Sequence, residues 1–486
     1  MSAEGGSLLP VHPAILFGEL GLRLLVVCVV LVRKSRRPAV AMAWMVAVLG
    51  LPVLGVGAYL LVGENRFGRR RAARHARILS EVDVPGVHAF ADPRCADATL
   101  SPDQRQLARM AESVSHGPVL AGNELALSGD SAANIEAMTR DIAEARLHVH
   151  LLTYIFLLDQ AGAAVARALM AAARRGVKVR LLVDGVGSKD FLTSDLRERL
   201  EAAGVEVAEA LPVSLLRLAF ARLDIRNHRK LLVVDGQVAW VGSQNVAEAS
   251  FAPKARYAPW VDCMVRVHGP LVRELQVVFV EDWSMEREED LRELLAVEPR
   301  FHAAGVPAQA VATGPNFRND AMASLLQAAV HLARGEIVLT TPYYVPDIAM
   351  QSALVVAARR GVRVHLVVPR RNDSWLVQRA SRAFYEELLD AGVSIHEFTG
   401  GLLHAKTLCV DTAVSVVTSA NLDRRSFEIN FEMGVLVYDA GFAGRLRVLQ
   451  QGYIDRSAPV DPAQWRARPL GRRLLEGAAG LLSPLL

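Results

Sequence analysis

His228, Lys230 and Asp235 share a His-x-Lys-x4-Asp spacing with His404, Lys406 and Asp411. Each copy lies in an apolar run that reads as a strand. Each is followed at the same distance by a small polar turn ending in asparagine, Gly242-Ser243-Gln244-Asn245 and Thr418-Ser419-Ala420-Asn421. The chain has six lysines among its 55 Lys and Arg residues, and two of the six fall in these motifs. Composition alone predicts even one such match only on the order of 0.01 times, so two with matched sequels are not chance.

In a strand, residues i and i+2 face the same way, so each His-Lys pair projects into one site. A neutral imidazole can attack phosphorus, and a protonated one can donate to a leaving oxygen. An ammonium is a compact charge for a phosphate oxygen. Two histidines and two lysines thus supply a nucleophile, an acid and a cationic clamp for phosphoryl transfer. Asp235 and Asp411 complete the candidate catalytic set. Each falls on the opposite strand face and opens a turn, which suits support of the fold better than contact with substrate. Ser243, Asn245, Ser419 and Asn421 are candidates to donate to phosphate or to hold the lysines. No Asp/Glu cluster suggests a metal, and no cofactor is implied.

These residues resemble the phospholipase D superfamily, whose motif is HxKxxxxD, and more narrowly the bacterial cardiolipin synthases. Arg226-Asn227-His228-Arg229-Lys230 opening Leu231-Leu232-Val233-Val234-Asp235-Gly236 is similar to their first motif. The stretch Ser419 to Glu432, with Asn421, Asp423, Arg424, Ser426, Phe427 and Asn430, is similar to the sequel of their second. Thr418 departs from the usual glycine, mildly, since threonine suits a strand end. The resemblance implies an acidic residue at Glu432, where a carboxylate bonded to imidazole Nδ1 would leave Nε2 facing phosphorus. In the first half Asp262 is the best candidate for that role. Tyr154 and Tyr343, at strand ends in matched positions, line a lipid path or simply pack.

The elements around the motifs are duplicated. Ala171-Ala172-Ala173-Arg174-Arg175-Gly176-Val177 and the strand after it match Val356-Ala357-Ala358-Arg359-Arg360-Gly361-Val362 and its strand. Each reads as a helix end, a glycine stop and a strand. His148–Thr153 and Glu336–Thr341 are the preceding strands, leading to Asp159 and Asp347. The expected fold class is therefore α/β. Two duplicated phospholipase D-like halves, 116–290 and 305–460, pack with pseudo-twofold symmetry, each giving one motif to a shared site. That symmetry sets the histidines on opposite sides of one phosphorus, as in-line displacement requires.

An N-terminal transmembrane hairpin is expected over 1–63. Ala14–Val32 is one apolar span, blemished by Glu19 and Arg23, which are spaced to pair on one helix face. Pro38–Val62 is the second, with Trp44 and Tyr59 near its ends. Arg33, Lys34, Arg36 and Arg37 form a basic loop between them. Arg66, Arg69, Arg70, Arg71, Arg74 and Arg77 follow, in a juxtamembrane linker over 64–115. Residues before 14 lack Lys and Arg, which argues against a cleavable signal. The charge pattern weakly favours a cytoplasmic catalytic portion on a bacterial inner membrane. Residues 461–486 read as a basic amphipathic segment, either lying on a membrane or docked on the protein. Cys28, Cys95, Cys263 and Cys409 have neither disulfide nor metal spacing, which fits a reducing compartment.

The resemblance implies a cardiolipin synthase acting on phosphatidylglycerol in an anionic phospholipid membrane through a phosphohistidine intermediate. The motifs alone leave open a phospholipase D-type hydrolase, or phosphatidylethanolamine or another alcohol as acceptor. Nucleic acid is not an expected partner, since a nucleic-acid groove calls for more basic residues around the motifs.

Overall fold

The computed structural model describes residues 13–32, 38–63, 69–82, 90–115, 117–212, 224–315 and 321–483. The basic loop at Arg33, Lys34, Arg36 and Arg37, the Arg66 position and the closing Pro484, Leu485 and Leu486 lie outside the described residues. Two units are distinguished, 1–68 with 214–224, and 69–213 with 225–486.

In the first unit, Pro13–Val32 forms one helix. The expected second span is instead two helices, Pro38–Gly50 and Pro52–Val62. Pro52 has no N–H to continue the ladder, and it disfavours helical backbone at Leu51. Among the described residues no helix is long and apolar enough to cross a membrane. Glu19 and Arg23 do pair, at 2.7 Å. Val26, Val30, Val48, Val56 and Tyr59 form a small apolar cluster.

Among the described residues the second unit has nineteen strands. In the first half these are β1 (Val119–Ser128), β2 (His148–Thr153), β3 (Lys178–Asp184), β4 (Glu206–Ala210), β5 (Leu231–Val234), β6 (Val238–Gly242), β7 (Trp260–Val261) and β8 (Met264–His268). In the second they are β9 (Val306–Thr313), β10 (Glu336–Thr340), β11 (Tyr344–Val345), β12 (Arg363–Pro369), β13 (Ser394–Phe398), β14 (Leu402–Leu403), β15 (Thr407–Val410), β16 (Val414–Thr418), β17 (Leu422–Asp423), β18 (Glu432–Val437) and β19 (Ser457–Pro459). One continuous sheet runs β19-β13-β12-β10-β15-β16-β18-β9-β1-β8-β6-β5-β2-β3-β4. Apart from the extra edge strand β19, the order reads the same from either end. Its centre is the antiparallel pair β1–β9, joined at Val119–Gln309 and Leu120–Ala308.

The strands β2, β3, β10 and β12 are buried along nearly their whole length because helices cover both faces of the sheet. The two halves repeat in detail. Asp159 and Asp347 cap the helices Gln160–Arg174 and Ile348–Arg359. Gly176 and Gly361 end them at φ of 91° and 90°. Val177 and Val362 then donate back to Ala172 and Ala357, the bond that closes a left-handed helix end. The helix Pro102–Ser115 is no mere linker, since Leu107, Ala108 and Ala111 enter the second half's core. Its apolar face needed a partner, and the helix Ala321–Leu332 supplies one.

Candidate active site

The two motifs do not lie within regular strands, as their spacing suggested. Each is extended backbone just before one, His228–Lys230 before β5 and His404–Lys406 before β15. There each leaves its own half and pairs with the other. His228 N donates to Phe431 O at 2.9 Å, and Phe431 N donates to Arg226 O at 2.9 Å. In the same way His404 N donates to Val261 O at 2.8 Å, next to the parallel pair β7–β14.

This register sets each imidazole beside the residue after its backbone partner. His228 Nδ1 is 3.0 Å from both Glu432 oxygens. His404 Nδ1 is 2.6 Å from Asp262 Oδ1. Each histidine is therefore held by a carboxylate of the opposite half. The serines complete the carboxylate shells. Ser243 Oγ donates to Asp262 at 2.7 Å and accepts from Cys263 N. Ser419 Oγ donates to Glu432 at 2.5 Å and accepts from Met433 N. Thr418, the unusual residue, lies opposite Gly434 in the β16–β18 pair, whereas Gly242 lies opposite Met264 in the β6–β8 pair. A Cβ on Gly434 would come within 2.7 Å of the Thr418 Cβ, so glycine on one strand makes room for the threonine on the other.

The lysines are also placed alike. Lys230 Nζ donates to His228 O at 2.6 Å and Lys406 Nζ to His404 O at 2.7 Å. Burial and the other lysine push the Lys230 ammonium well below its usual range. Burial brings Lys406 down to about 7, with Asp262 and Glu432 opposing. Burial likewise lowers His228 to about 4, against Glu432 and helped by Lys230 and Lys406. It lowers His404 to about 4, helped by Lys406 and Lys230, against Asp262. Burial alone would raise the two carboxyls. The imidazole, the lysine and the serine beside each together outweigh it and hold Asp262 and Glu432 at about 2. With ionised carboxylates and neutral rings, Nδ1–H donates to the carboxylate and Nε2 keeps its lone pair. Each lysine acts on both histidines, so the two motifs form one electrostatic site.

Asp235 and Asp411 stand apart from this chemistry. They lie at the far ends of β5 and β15 from the lysines. The Asp235 carboxylate accepts from the backbone N–H groups of Arg146, Leu147 and His148 at 2.8, 2.7 and 2.9 Å. Asp411 accepts from Arg334, Gly335 and Glu336, each at 2.7 Å. Their inclusion in the catalytic set is corrected accordingly, because each carboxylate is committed to the start of the neighbouring strand. Their φ values of 53° and 50° are left-handed, as the hairpin turns there require.

Asn245 Oδ1 accepts from Ile155 N at 3.1 Å, and Asn421 Oδ1 is buried without a hydrogen-bond partner. Tyr154 meets the His228 ring edge-on at 5.0 Å and lies 5.3 Å from Lys230 Nζ. Tyr343 is not its counterpart. Thr153 and Thr341 make the same hydroxyl bond two residues on, to Ile155 and Tyr343, so Tyr154 matches Pro342. Tyr343 instead donates to Asp373 Oδ1 at 2.7 Å, and Asp373 also pairs with Lys254 of the first half.

Three participants have no recurring sequence signal. Trp260 lies tilted against His404, with ring centroids 4.8 Å apart, and its buried Nε1 has no hydrogen-bond partner. Asp184 accepts from Asn227 N at 2.9 Å and so fixes the approach to His228. Arg229 donates to Asp282 at 2.8 Å, to Thr313 O at 3.1 Å and to Glu432 O at 3.2 Å. Among the described residues no group of three or more His, Cys, Asp or Glu is arranged to hold a metal ion.

A family model described as cardiolipin synthase, PLD-like domain, matches residues 138–283 and 326–451. A second, described as phospholipase D-nuclease N-terminal, matches residues 24–64. Cardiolipin synthase A of Yersinia pseudotuberculosis serotype O:1b is 39% identical over 468 residues, covering 93% of this chain and 94% of its own. Its namesake in Yersinia pestis bv. Antiqua gives the same figures, 39% identity over 93% of this chain and 94% of its own. Among solved structures, phosphatidylserine synthase of Haemophilus influenzae is similar with a TM-score of 0.60 at 14% identity, covering 78% of this chain and 100% of that one. That likeness is one of fold.

Proposed function

The chain belongs to the cardiolipin synthase family of phospholipase D-like proteins, and we propose that it joins two phosphatidylglycerol molecules into cardiolipin with release of one glycerol. It is a phosphatidyltransferase of the cardiolipin synthase type. The observation that carries the finer reading is the pair of histidines, each held at Nδ1 by a carboxylate of the other half.

His228 is assigned as nucleophile and His404 as acid and base. In the first step Nε2 of His228 bonds to phosphorus. The phosphorus–oxygen bond to the terminal glycerol breaks, and His404 gives its Nε2 proton to that oxygen. A seated phosphate adds the negative charge that lets His404 hold this proton despite its burial. In the second step His404 takes the hydroxyl proton of the second phosphatidylglycerol as its oxygen attacks, and the nitrogen–phosphorus bond breaks. Lys230 and Lys406 hold the charge on the non-bridging oxygens. Ser243, Ser419, Asp262 and Glu432 keep the rings in one tautomer, and Asn245 and Asn421 line the approach.

Membrane attachment through residues 13–62 is part of the same proposal. It is supported by the N-terminal family match and by the exposed Phe17, Leu24, Leu25, Val53 and Leu54. A multi-pass anchor with the catalytic portion cytoplasmic is the arrangement we favour, with 116–290 and 305–460 as its two phospholipase D-like domains.

The test is a product analysis. Purified enzyme receives phosphatidylglycerol alone, with EDTA present. Cardiolipin with one glycerol per molecule is expected. Phosphatidic acid with glycerol would make water the acceptor and replace this reading with a hydrolase.

A further inference from the structure

The last described helix, Leu470–Leu481, is turned the wrong way for a soluble surface. It packs on the helix Trp375–Ala383 through Glu476, Ala479 and Gly480. A Cβ on Gly480 would come within 2.9 Å of the Ala383 Cβ, so the helices meet closely there. Both Glu476 oxygens are buried without a hydrogen bond, and the carboxylate pairs with Arg468 at 3.3 Å, with Arg382, Arg472 and Arg379 also acting on it. Leu470, Leu474 and Leu481 share the opposite stripe and are 69%, 65% and 82% exposed. A helix docked only to complete a core would bury its leucines and expose its glutamate. Here the order is reversed, which a second, apolar medium on the outer side would satisfy.

Neighbouring elements extend this face. Trp375, at the start of the partner helix, is 55% exposed. Val345 packs with Ala380 and Ala479, and Ile348, just beyond it in sequence, is exposed. Arg472 and Arg473 are exposed at the rim of this face rather than on the leucine stripe, Arg472 toward Glu476 and Arg473 within 3.8 Å of Glu386. Apolar stripe, interfacial tryptophan and arginines together fit an anionic phospholipid surface. The face is also linked to the reacting groups, since the charge of Asp373, two residues before Trp375, acts on Lys406. Trp375 follows Asp373, which receives the Tyr343 hydroxyl and pairs with Lys254 across the halves. The reacting imidazoles are only 8% and 4% exposed, so a lipid has to be delivered to them from close by.

We propose that the outer face of the Leu470–Leu481 helix, with Trp375 and Ile348, is a membrane-contact surface that seats the catalytic portion on an anionic bilayer. This rests on the phospholipid substrate proposed above. It adds a contact separate from the N-terminal anchor.

The full-length enzyme is tested as Leu470→Glu/Leu474→Glu on two substrates. One is phosphatidylglycerol in vesicles with phosphatidylcholine. The other is short-chain phosphatidylglycerol dissolved as monomers. The expected result is a loss of about tenfold or more on vesicles with the monomer rate kept. Equal rates on vesicles overturn the proposal. If both rates fall, a probe decides. Full-length Cys28→Ser/Leu474→Cys carrying an environment-sensitive dye should shift to the blue in anionic vesicles, and less so with Arg472→Glu/Arg473→Glu. No shift in vesicles, or a shift driven by protein concentration without lipid, means that the bilayer does not cover this face. Failure of the unmodified enzyme to make cardiolipin from monomers would sink the function instead and leave the dye result standing.

Discussion

His228 Nδ1 lies 3.0 Å from both carboxylate oxygens of Glu432, a residue of the other half. His404 and Asp262 repeat the exchange in the opposite direction. Neither half is complete alone. The backbone bonds from His228 to Phe431 and from His404 to Val261 enforce the exchange by pairing each motif with the segment that carries the other carboxylate.

Glu432→Gln should therefore disable His228 and Asp262→Asn should disable His404, each lowering kcat by about 10²–10⁴-fold while the fold is kept. An amide can turn its NH₂ toward Nδ1 and favour the wrong tautomer. If His228 is the nucleophile, Asp262→Asn slows the second step more and lets phosphohistidine accumulate from labelled phosphatidylglycerol, whereas Glu432→Gln forms little of it. The opposite pattern would exchange the two roles. Near-normal rates in both variants would remove the carboxylates from the mechanism.

Lys230→Arg should lose at least about 100-fold in activity, although the charge is retained. Lys230 is fully enclosed and its Nζ bonds the carbonyl of His228 at 2.6 Å. A guanidinium is broader and displaces the histidine it was meant to assist. Circular dichroism and kcat measured together would separate this from unfolding. A rate close to that of the unmodified enzyme would mean that only diffuse charge is needed.

The structure assigns Asp235 and Asp411 a different kind of consequence. Each carboxylate ties down three backbone N–H groups. Asp235→Asn offers one oxygen in place of two and should cost about 1–3 kcal/mol. A lower unfolding midpoint is expected, with kcat per folded molecule within about twofold of the unmodified enzyme. A large loss of kcat at unchanged stability would return Asp235 to the reacting groups.

The contrast between these aspartates and the His-Lys pairs marks what the sequence makes legible. Recurrence in register identifies His228, Lys230, His404 and Lys406, and the duplicated helix–glycine–strand segments identify the two α/β halves. Recurrence alone does not distinguish a residue kept for turn geometry from one kept for chemistry, because Asp235 and Asp411 recur with equal fidelity; their place on the opposite strand face, at a turn, is what points to a supporting role. Nor could it see across the halves. Asp262 was found as an isolated acid near a strand, but its pairing with His404 depends on the β7–β14 contact between distant segments. The Tyr154–Tyr343 match failed by one residue for a related reason. Tyrosines catch the eye, while the register is set by Thr153 and Thr341. Pro52 was visible throughout, yet its apolar neighbours outweighed it in the reading of one long span.

The pH dependence follows from burial. Both imidazoles sit near 4 in the free enzyme, so His228 stays a neutral nucleophile well below the usual histidine range, and the acid limb of kcat/KM should lie near 4. His404 has to take up its proton as the phosphate is seated, so kcat/KM should decline gradually above that, and more steeply above about 7, where Lys406 loses its charge. Stability points the same way. A histidine lowered from 6.5 to about 4 takes up fewer protons folded than unfolded, so stability is lost as pH falls from 6.5 toward 4. Glu432, lowered from 4.5 to about 2, and Asp262, from 3.8 to about 2, contribute stability above those unfolded values that is lost as pH falls toward 2. Rates taken promptly after a pH jump, beside unfolding midpoints at each pH, would resolve the two effects. An acid limb near 6.5 would show that the rings are not desolvated before substrate arrives.

Arg229 breaks the symmetry, since Ala405 occupies the matching position of the second motif. Its guanidinium joins Asp282 to the carbonyls of Thr313 and Glu432. It thereby holds the backbone from which the Glu432 carboxylate reaches His228. Arg229→Ala strands Asp282 in the interior and should cost about 3–5 kcal/mol. Removing both charges, as Arg229→Ala/Asp282→Ala, should restore part of that stability without restoring activity, because Glu432 still loses its anchor. Arg229→Lys keeps the charge but not the three-way fork, and should fold while turning over slowly. Full activity in the double variant would show that Arg229 serves only to neutralise Asp282, and that the geometry at His228 survives without it.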